Sequence, residues 1–232
     1  MKPLLLLALG LAATAVAKEP KDASLFTASD LDPALVLPPP PARDSAQAMA
    51  ELAELRTAER TRTAAQAAAA KAEGEIKDAS IFAAAIGPGF DLARLPATAR
   101  LMAMVRATEK AVTARGKDEF RRPRPWVIDP RLATCKRSEG EPLSSYPSGH
   151  TTSAYAYAGT LARLFPDRAA PILARAAGYA ETRITCEQHF RSDVTAGEAL
   201  GLLVAERLSG KPAFATAYAE AAAELRANRL IP

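Results

Sequence analysis

Pro147-Ser148-Gly149-His150-Thr151-Thr152-Ser153-Ala154-Tyr155-Ala156-Tyr157-Ala158-Gly159-Thr160-Leu161-Ala162-Arg163-Leu164-Phe165-Pro166 is the stretch on which the fold turns. A proline followed by small and hydroxyl residues opens it, an Ala-rich run with no β-type alternation fills it, and Pro166 closes it, so it reads as a helix over residues 149–164. The pattern repeats to the C-terminus: residues 169–182, 190–208 and 211–228 each suit a helix, with Gly210 as a boundary. Upstream, Asp44 or Ser45 is placed to cap a long helix to about Ala72, with Gly74 ending it. Another helix is expected from Leu95 to Arg115, with Leu101, Met104 and Val105 on one face and Gly116 as its stop. Residues 117–147 hold five prolines and the sole Trp126 and read as irregular with short helical turns. No fixed-period repeat and no alternating strand stands out, so the expected fold class is all-α, one helical domain over residues 44–232.

The composition agrees. The chain has 232 residues, 49% apolar and only 6% aromatic, with 30 Lys plus Arg against 26 Asp plus Glu. A formal charge of +4 is too small for a nucleic-acid binder defined by charge, and 24% charged residues is ordinary for a globular chain. Residues 1–17, MKPLLLLALGLAATAVA, carry one Lys, an apolar run and the small-x-small triplet Ala15-Val16-Ala17, which reads as a signal peptide cleaved after Ala17. The run is shorter than the roughly 20 residues of a membrane span. Residues 18–43 read as an extended segment ending in Leu37-Pro38-Pro39-Pro40-Pro41. Export makes Cys135 and Cys186 a candidate disulfide, against two unpaired buried thiols.

Three clusters carry chemistry. The chain's two histidines, His150 and His189, both sit in polar clusters, and imidazole is the side chain best suited to proton transfer near neutral pH. At 145–152, Ser148 and Gly149 open the helix, and their backbone N–H groups are placed to bind an anion. At 182–193, Asp193 lies four residues after His189, on the same face if a helix starts there, able to orient the ring; Arg183 precedes them. At 117–126, Lys117 and Arg124 belong to a basic stretch that Pro123 and Pro125 keep from being one helix. Two imidazoles, a carboxylate, several cations and a helix start, with no zinc-ligand spacing and no nucleotide P-loop, suit phosphoryl transfer.

In order and spacing these residues resemble the bacterial class A nonspecific acid phosphatases, within the superfamily of type 2 phosphatidic acid phosphatases and vanadium haloperoxidases. Lys117, six residues, Arg124-Pro125 fits the first family pattern; Pro147 to His150 fits Pro-Ser-Gly-His; Arg183, five residues, His189, three residues, Asp193 fits the third. Thr182 stands where the family usually has Ser, keeping the hydroxyl. The resemblance implies an all-helical fold, a Cys135–Cys186 bridge, and no metal or other cofactor. It implies His189 as the nucleophile forming a phosphohistidine, Asp193 holding its ring, His150 as general acid, and Lys117, Arg124, Ser148, Gly149 and Arg183 binding phosphate. The implied reaction is hydrolysis of small phosphomonoesters of broad range, with phosphotransfer to alcohols, inhibition by inorganic phosphate and vanadate, and a periplasmic or secreted location. It carries no implication of a nucleic-acid or membrane partner and leaves homo-oligomerisation open. A vanadate-dependent haloperoxidase and an inactive phosphate-binding protein are the competing readings on the same scaffold.

Overall fold

Ser148 ends the loop before residues 149–164 in an extended conformation, and its hydroxyl accepts the N–H of Thr151, one turn into the helix. The computed structural model containing this helix describes residues 24–137 and 139–232; the expected signal peptide lies outside the described residues. In chain order the helices are α1 (Pro33–Val36), α2 (Ala46–Thr61), α3 (Ala64–Glu73), α4 (Ala83–Ile86), α5 (Pro96–Phe120), α6 (Pro125–Ile128), α7 (Gly149–Leu164), α8 (Ala169–Thr185), α9 (Arg191–Leu208) and α10 (Pro212–Ala227). Short 3-10 turns at Ala79–Phe82 and Pro166–Arg168 lead into α4 and α8. Among the described residues there is no strand, and the fold is all-α.

α7 is buried almost all round, from Thr151 to Leu164, as a central helix must be. It packs most extensively on α9 and also on α8 and α5, while α10 covers the far side of α5. The small residues explain the closeness of α7 and α9. A Cβ on Gly201 would stand 2.5 Å from the Thr152 carbonyl oxygen, and one on Gly197 would stand 2.7 Å from that of Ser148. Only glycine lets α9 lie directly on the α7 backbone. Because the contact runs to both N-termini, it brings residues 148–150 against residues 189–193, and Ser148 N–H donates to the Asp193 carbonyl at 2.9 Å.

Two boundaries differ from the sequence expectation. The long helix from Ser45 breaks at Arg62, which turns extended, and Thr63 starts α3 through a reciprocal capping box with Gln66. Arg62 then spans a gap, donating to the Thr185 carbonyl at 2.5 Å and the Ala133 carbonyl at 2.6 Å. Second, α5 does not stop at Gly116. It runs on to Phe120 and ends where Arg121 adopts φ 44°, so Lys117 is helical rather than in a loop. Gly116 serves a close approach instead: a Cβ there would meet Pro147 at 2.9 Å and Pro33 at 3.1 Å. The extended N-terminal segment contains the single turn α1 and lies on α5, with Leu31 and Leu37 buried and the Pro38 carbonyl accepting Tyr146 O–H at 2.6 Å. Cys135 and Cys186 form a disulfide. No helix among the described residues is long and apolar enough to cross a membrane.

Candidate active site

His189 sits in the turn between α8 and α9 and is 1% exposed. Its Nδ1 is 2.7 Å from the Ser145 carbonyl, which can only accept, so Nδ1 carries the proton. Nε2 is then a lone pair, and it accepts from Arg124 Nη1 at 2.8 Å. Burial, then the positive charges of Arg124 and Lys117, hold this imidazole well below the usual histidine range, hence neutral. Asp193, completely buried in the first turn of α9, stands 3.4 Å from Nδ1. Its carboxylate is held more tightly elsewhere: it accepts from Ser145 Oγ at 2.6 Å, the Phe190 amide at 2.8 Å and Arg122 Nη1 at 2.6 Å. The closest partner of the ring proton is thus a backbone carbonyl, with the carboxylate beside it.

Arg124 precedes α6 with its guanidinium buried, donating also to the Gln188 carbonyl at 2.9 Å and to Ser144 Oγ. Lys117, near the end of α5, points at the start of α7, its Nζ 3.6 Å from where a Cβ on Gly149 would stand. Burial and the neighbouring Arg124 bring Lys117 down to about 8. Among the described residues no hydrogen bond or ion pair occupies its Nζ. Arg183, on the last turn of α8, donates to the Ala70 carbonyl at 2.7 Å and to Thr182 Oγ1 at 2.8 Å. His150 donates Nε2–H to the Gly74 carbonyl at 3.0 Å, so the C-terminal end of α3 receives both groups. Burial, then Arg183, hold His150 well below its usual range too.

Of these groups, Lys117, Gly149 and His150, with the Ser144 that Arg124 holds, line a cavity of about 540 Å³, and His189, Arg124 and Arg183 are not among its lining residues. Ile76, Tyr157 and Tyr179 supply its apolar and aromatic wall. His150 also borders, with Arg183, a second space of about 100 Å³ beside the disulfide. Among the described residues no three His, Cys, Asp or Glu side chains gather as a metal site.

Residues 98–209, which hold every one of these charged groups and both histidines, match the PAP2 superfamily. An acid phosphatase of Zymomonas mobilis is 38% identical over 174 residues, 72% of this chain and 65% of that protein. A non-specific acid phosphatase of Salmonella typhi is 34% identical over 116 residues, 49% of this chain and 46% of its own length. A non-specific acid phosphatase of Providencia stuartii is 31% identical over 194 residues, covering 79% of this chain and 77% of that protein. The chain belongs to the nonspecific acid phosphatases of the PAP2 superfamily. It spans somewhat less than two thirds of the Zymomonas protein and under half of the Salmonella one.

In this PAP2 chain Lys117, Arg124, Ser148, Gly149, His150, Arg183, His189 and Asp193 gather near the start of α7, although they come from α5, the loop before α6, the start of α7, α8, the turn after it and α9. One detail departs from the sequence expectation. The Ser148 N–H is not free for an anion, because it donates to the Asp193 carbonyl. Ser148 Oγ accepts from Thr151 Oγ1 at 2.9 Å, which leaves its own proton to give. The amides of the helix start left without a partner among the described residues are those of Gly149 and His150, since the Thr151 N–H goes to Ser148 Oγ and the Thr152 N–H to the Ser148 carbonyl. Sequence reading passed over Ser145, Arg122 and Glu51. Arg122 lay inside the basic stretch, but its partner Glu51 is 71 residues away and carries no local signal. The buried Glu109 carboxylate was also passed over; Ser153 Oγ donates to it at 2.6 Å, one turn beyond His150.

Proposed function

We propose that the protein is an exported phosphomonoesterase that works through a phosphohistidine at His189. The observation that carries this reading is the neutral His189 ring, with its proton fixed on Nδ1 toward Ser145 and its Nε2 lone pair under Arg124. In the free protein both reactive nitrogens are covered, Nε2 of His189 by Arg124 and Nε2–H of His150 by the Gly74 carbonyl. A phosphate group accepting from Arg124, Lys117, Arg183 and the amides at the start of α7 draws the guanidinium from Nε2 and puts phosphorus there.

Nε2 attacks phosphorus, the bond from phosphorus to the ester oxygen breaks, and His150 gives its proton to the departing oxygen. Water, deprotonated by the same His150, then displaces the phosphoryl group from Nε2 and restores both rings. An alcohol in place of water gives phosphotransfer. His150 must carry two protons to act as an acid, and in the free site burial and Arg183 oppose this. The negative charge of the bound phosphate reverses that balance, so the acid is charged by the substrate it serves. The cavity is roomy and mixed in character, which supports a broad range of leaving groups. Three fixed cations do the charge stabilisation, so turnover is expected to resist chelators.

The test is hydrolysis of a chromogenic phosphomonoester by the full chain in excess chelator, beside His189→Ala and with rapid acid-free quench to trap a base-stable, acid-labile phosphoenzyme. Trapped phosphate on wild type and a loss of about 10³-fold or more in His189→Ala are expected. Turnover that survives the substitution rules out the nucleophile. Export is tested separately by the N-terminal sequence of the secreted protein, expected to begin at Lys18.

A further inference from the structure

Arg122 lies two residues before Arg124 and points the other way. Its guanidinium is gripped by two carboxylates, Nη1 at 2.6 Å from Asp193 Oδ1 and Nη2 at 2.8 Å from Glu51 Oε2, and it lies over the Phe190 ring at 4.2 Å. Glu51 comes from α2, outside the stretch that matches the superfamily. It also accepts the Ser192 amide at 2.9 Å and Ser192 O–H at 3.0 Å, while Ser192 Oγ accepts from Arg122 at 2.7 Å. All three charged residues are buried, and none of them borders the 540 Å³ cavity. They form a chain of alternating charge, Glu51, Arg122, Asp193, that ends 3.4 Å from His189 Nδ1.

A buried carboxylate with no counter-ion is strongly disfavoured and relieves itself by taking up a proton or by drawing one onto a neighbour. Alone beside His189, Asp193 would favour the protonated ring, which cannot attack phosphorus. Arg122 offsets that charge, and Glu51 in turn limits how far Arg122 offsets it. The chain keeps one net negative charge, enough to stabilise the positive ring that forms when Nε2 takes the phosphoryl group.

We propose that Glu51 and Arg122 are positioning residues for His189, acting through Asp193 to keep its proton on Nδ1 and to stabilise the ring once it is phosphorylated. This rests on the phosphohistidine reading above. The other charges facing the ring are Arg124 before α6, Lys117 on α5 and Arg183 on α8, with His150 on α7; all four stay in place in the variants that test the chain.

In the full-length chain, Glu51→Gln keeps the shape and an acceptor for Ser192 while removing one charge. Arg122 then draws more strongly on Asp193. The expected result is a fall in kcat of about tenfold, equivalent to one pKa unit, with KM and the orthovanadate inhibition constant within about twofold of wild type. The acid limb of the pH profile moves to lower pH, and Glu51→Asp, which restores the charge, moves it back. An unchanged kcat and acid limb overturns the proposal. So does a fall in kcat accompanied by weaker vanadate binding and an unmoved limb, which is the mark of a merely structural role. Nitrogen NMR of histidine-labelled chain follows the His189 tautomer and titration without turnover. If wild type shows no phosphatase activity, the function fails, yet a His189 titration lower in Glu51→Gln still upholds the positioning chain and an identical one overturns it. Should Glu51→Gln not fold, Arg122→Gln is read by the same titration: with Asp193 no longer offset, the His189 ring is expected to titrate higher than in wild type, and a ring that titrates as in wild type again overturns it.

Discussion

Lys117 carries the clearest pH consequence of any single side chain. Burial and Arg124 bring its ammonium down to about 8, and only the charged form holds phosphate oxygens. Its contribution is therefore present below about pH 8 and lost as pH rises through that value. The kcat/KM profile of wild type, which reports the free enzyme, is expected to fall on the alkaline side near there, and Lys117→Arg, charged throughout, to lose that limb. Thr182 is the second case. Its hydroxyl donates to the Tyr179 carbonyl at 2.6 Å and accepts from both Arg183 Nε and Nη2, so it aims the guanidinium. Thr182→Ser should stay within about twofold in kcat/KM, whereas Thr182→Val, losing a bond to a charged group, should fall by about tenfold or more. That a hydroxyl is kept where Thr replaces Ser was legible from the motif, but that it aims Arg183 was not, because that depends on how α8 turns the two side chains. That Nδ1–H of His189 goes first to the Ser145 carbonyl was not legible, because backbone acceptors have no residue signature.

At the scale of helices, closeness decides function. α7 starts at Gly149, next to His150, and α9 starts at Arg191, two residues after His189, and the two starts meet only because Gly197 and Gly201 let the backbones approach. Gly201→Val is expected to cost about 1–3 kcal/mol or more, since its new atoms meet the Thr152 carbonyl rather than a movable side chain. Urea unfolding with an unchanged m value measures it, and phosphatase activity should fall alongside as the two helix starts part. The four C-terminal helices were readable almost to the residue from Ala-rich runs bounded by Pro and Gly. The break at Arg62 was less so, because both flanks favour helix and a capping box competes with simple continuation. Gly116 was misread as a stop because glycine in sequence looks alike whether it ends a helix or admits Pro147 and Pro33 against it.

For the whole molecule, the disulfide links the loop after α6 to the turn that holds His189. Cys186 is three residues before His189, and Cys135 N–H donates to the Cys186 carbonyl at 3.3 Å. The sequence separation of 51 corresponds to about 4 kcal/mol in the chain-entropy description. Complete reduction, verified by thiol titration, should lower the melting temperature and weaken vanadate binding together. A melting temperature unchanged in reductant would show that packing of α8 and α9 holds the turn unaided.

The sequence by itself determined the all-α class, the helix content of the C-terminal half and the identity of the charged and imidazole side chains around α7, since periodicity, caps and motif spacing are local properties of the chain. Tertiary structure alone decided which of those side chains face each other. Arg122 and Arg124 are two residues apart and indistinguishable as basic residues, yet one is spent on Asp193 and Glu51 while the other covers His189. That difference arises because Glu51 reaches them from α2, 71 residues earlier, and in a buried site a charge goes where its counter-ion is held.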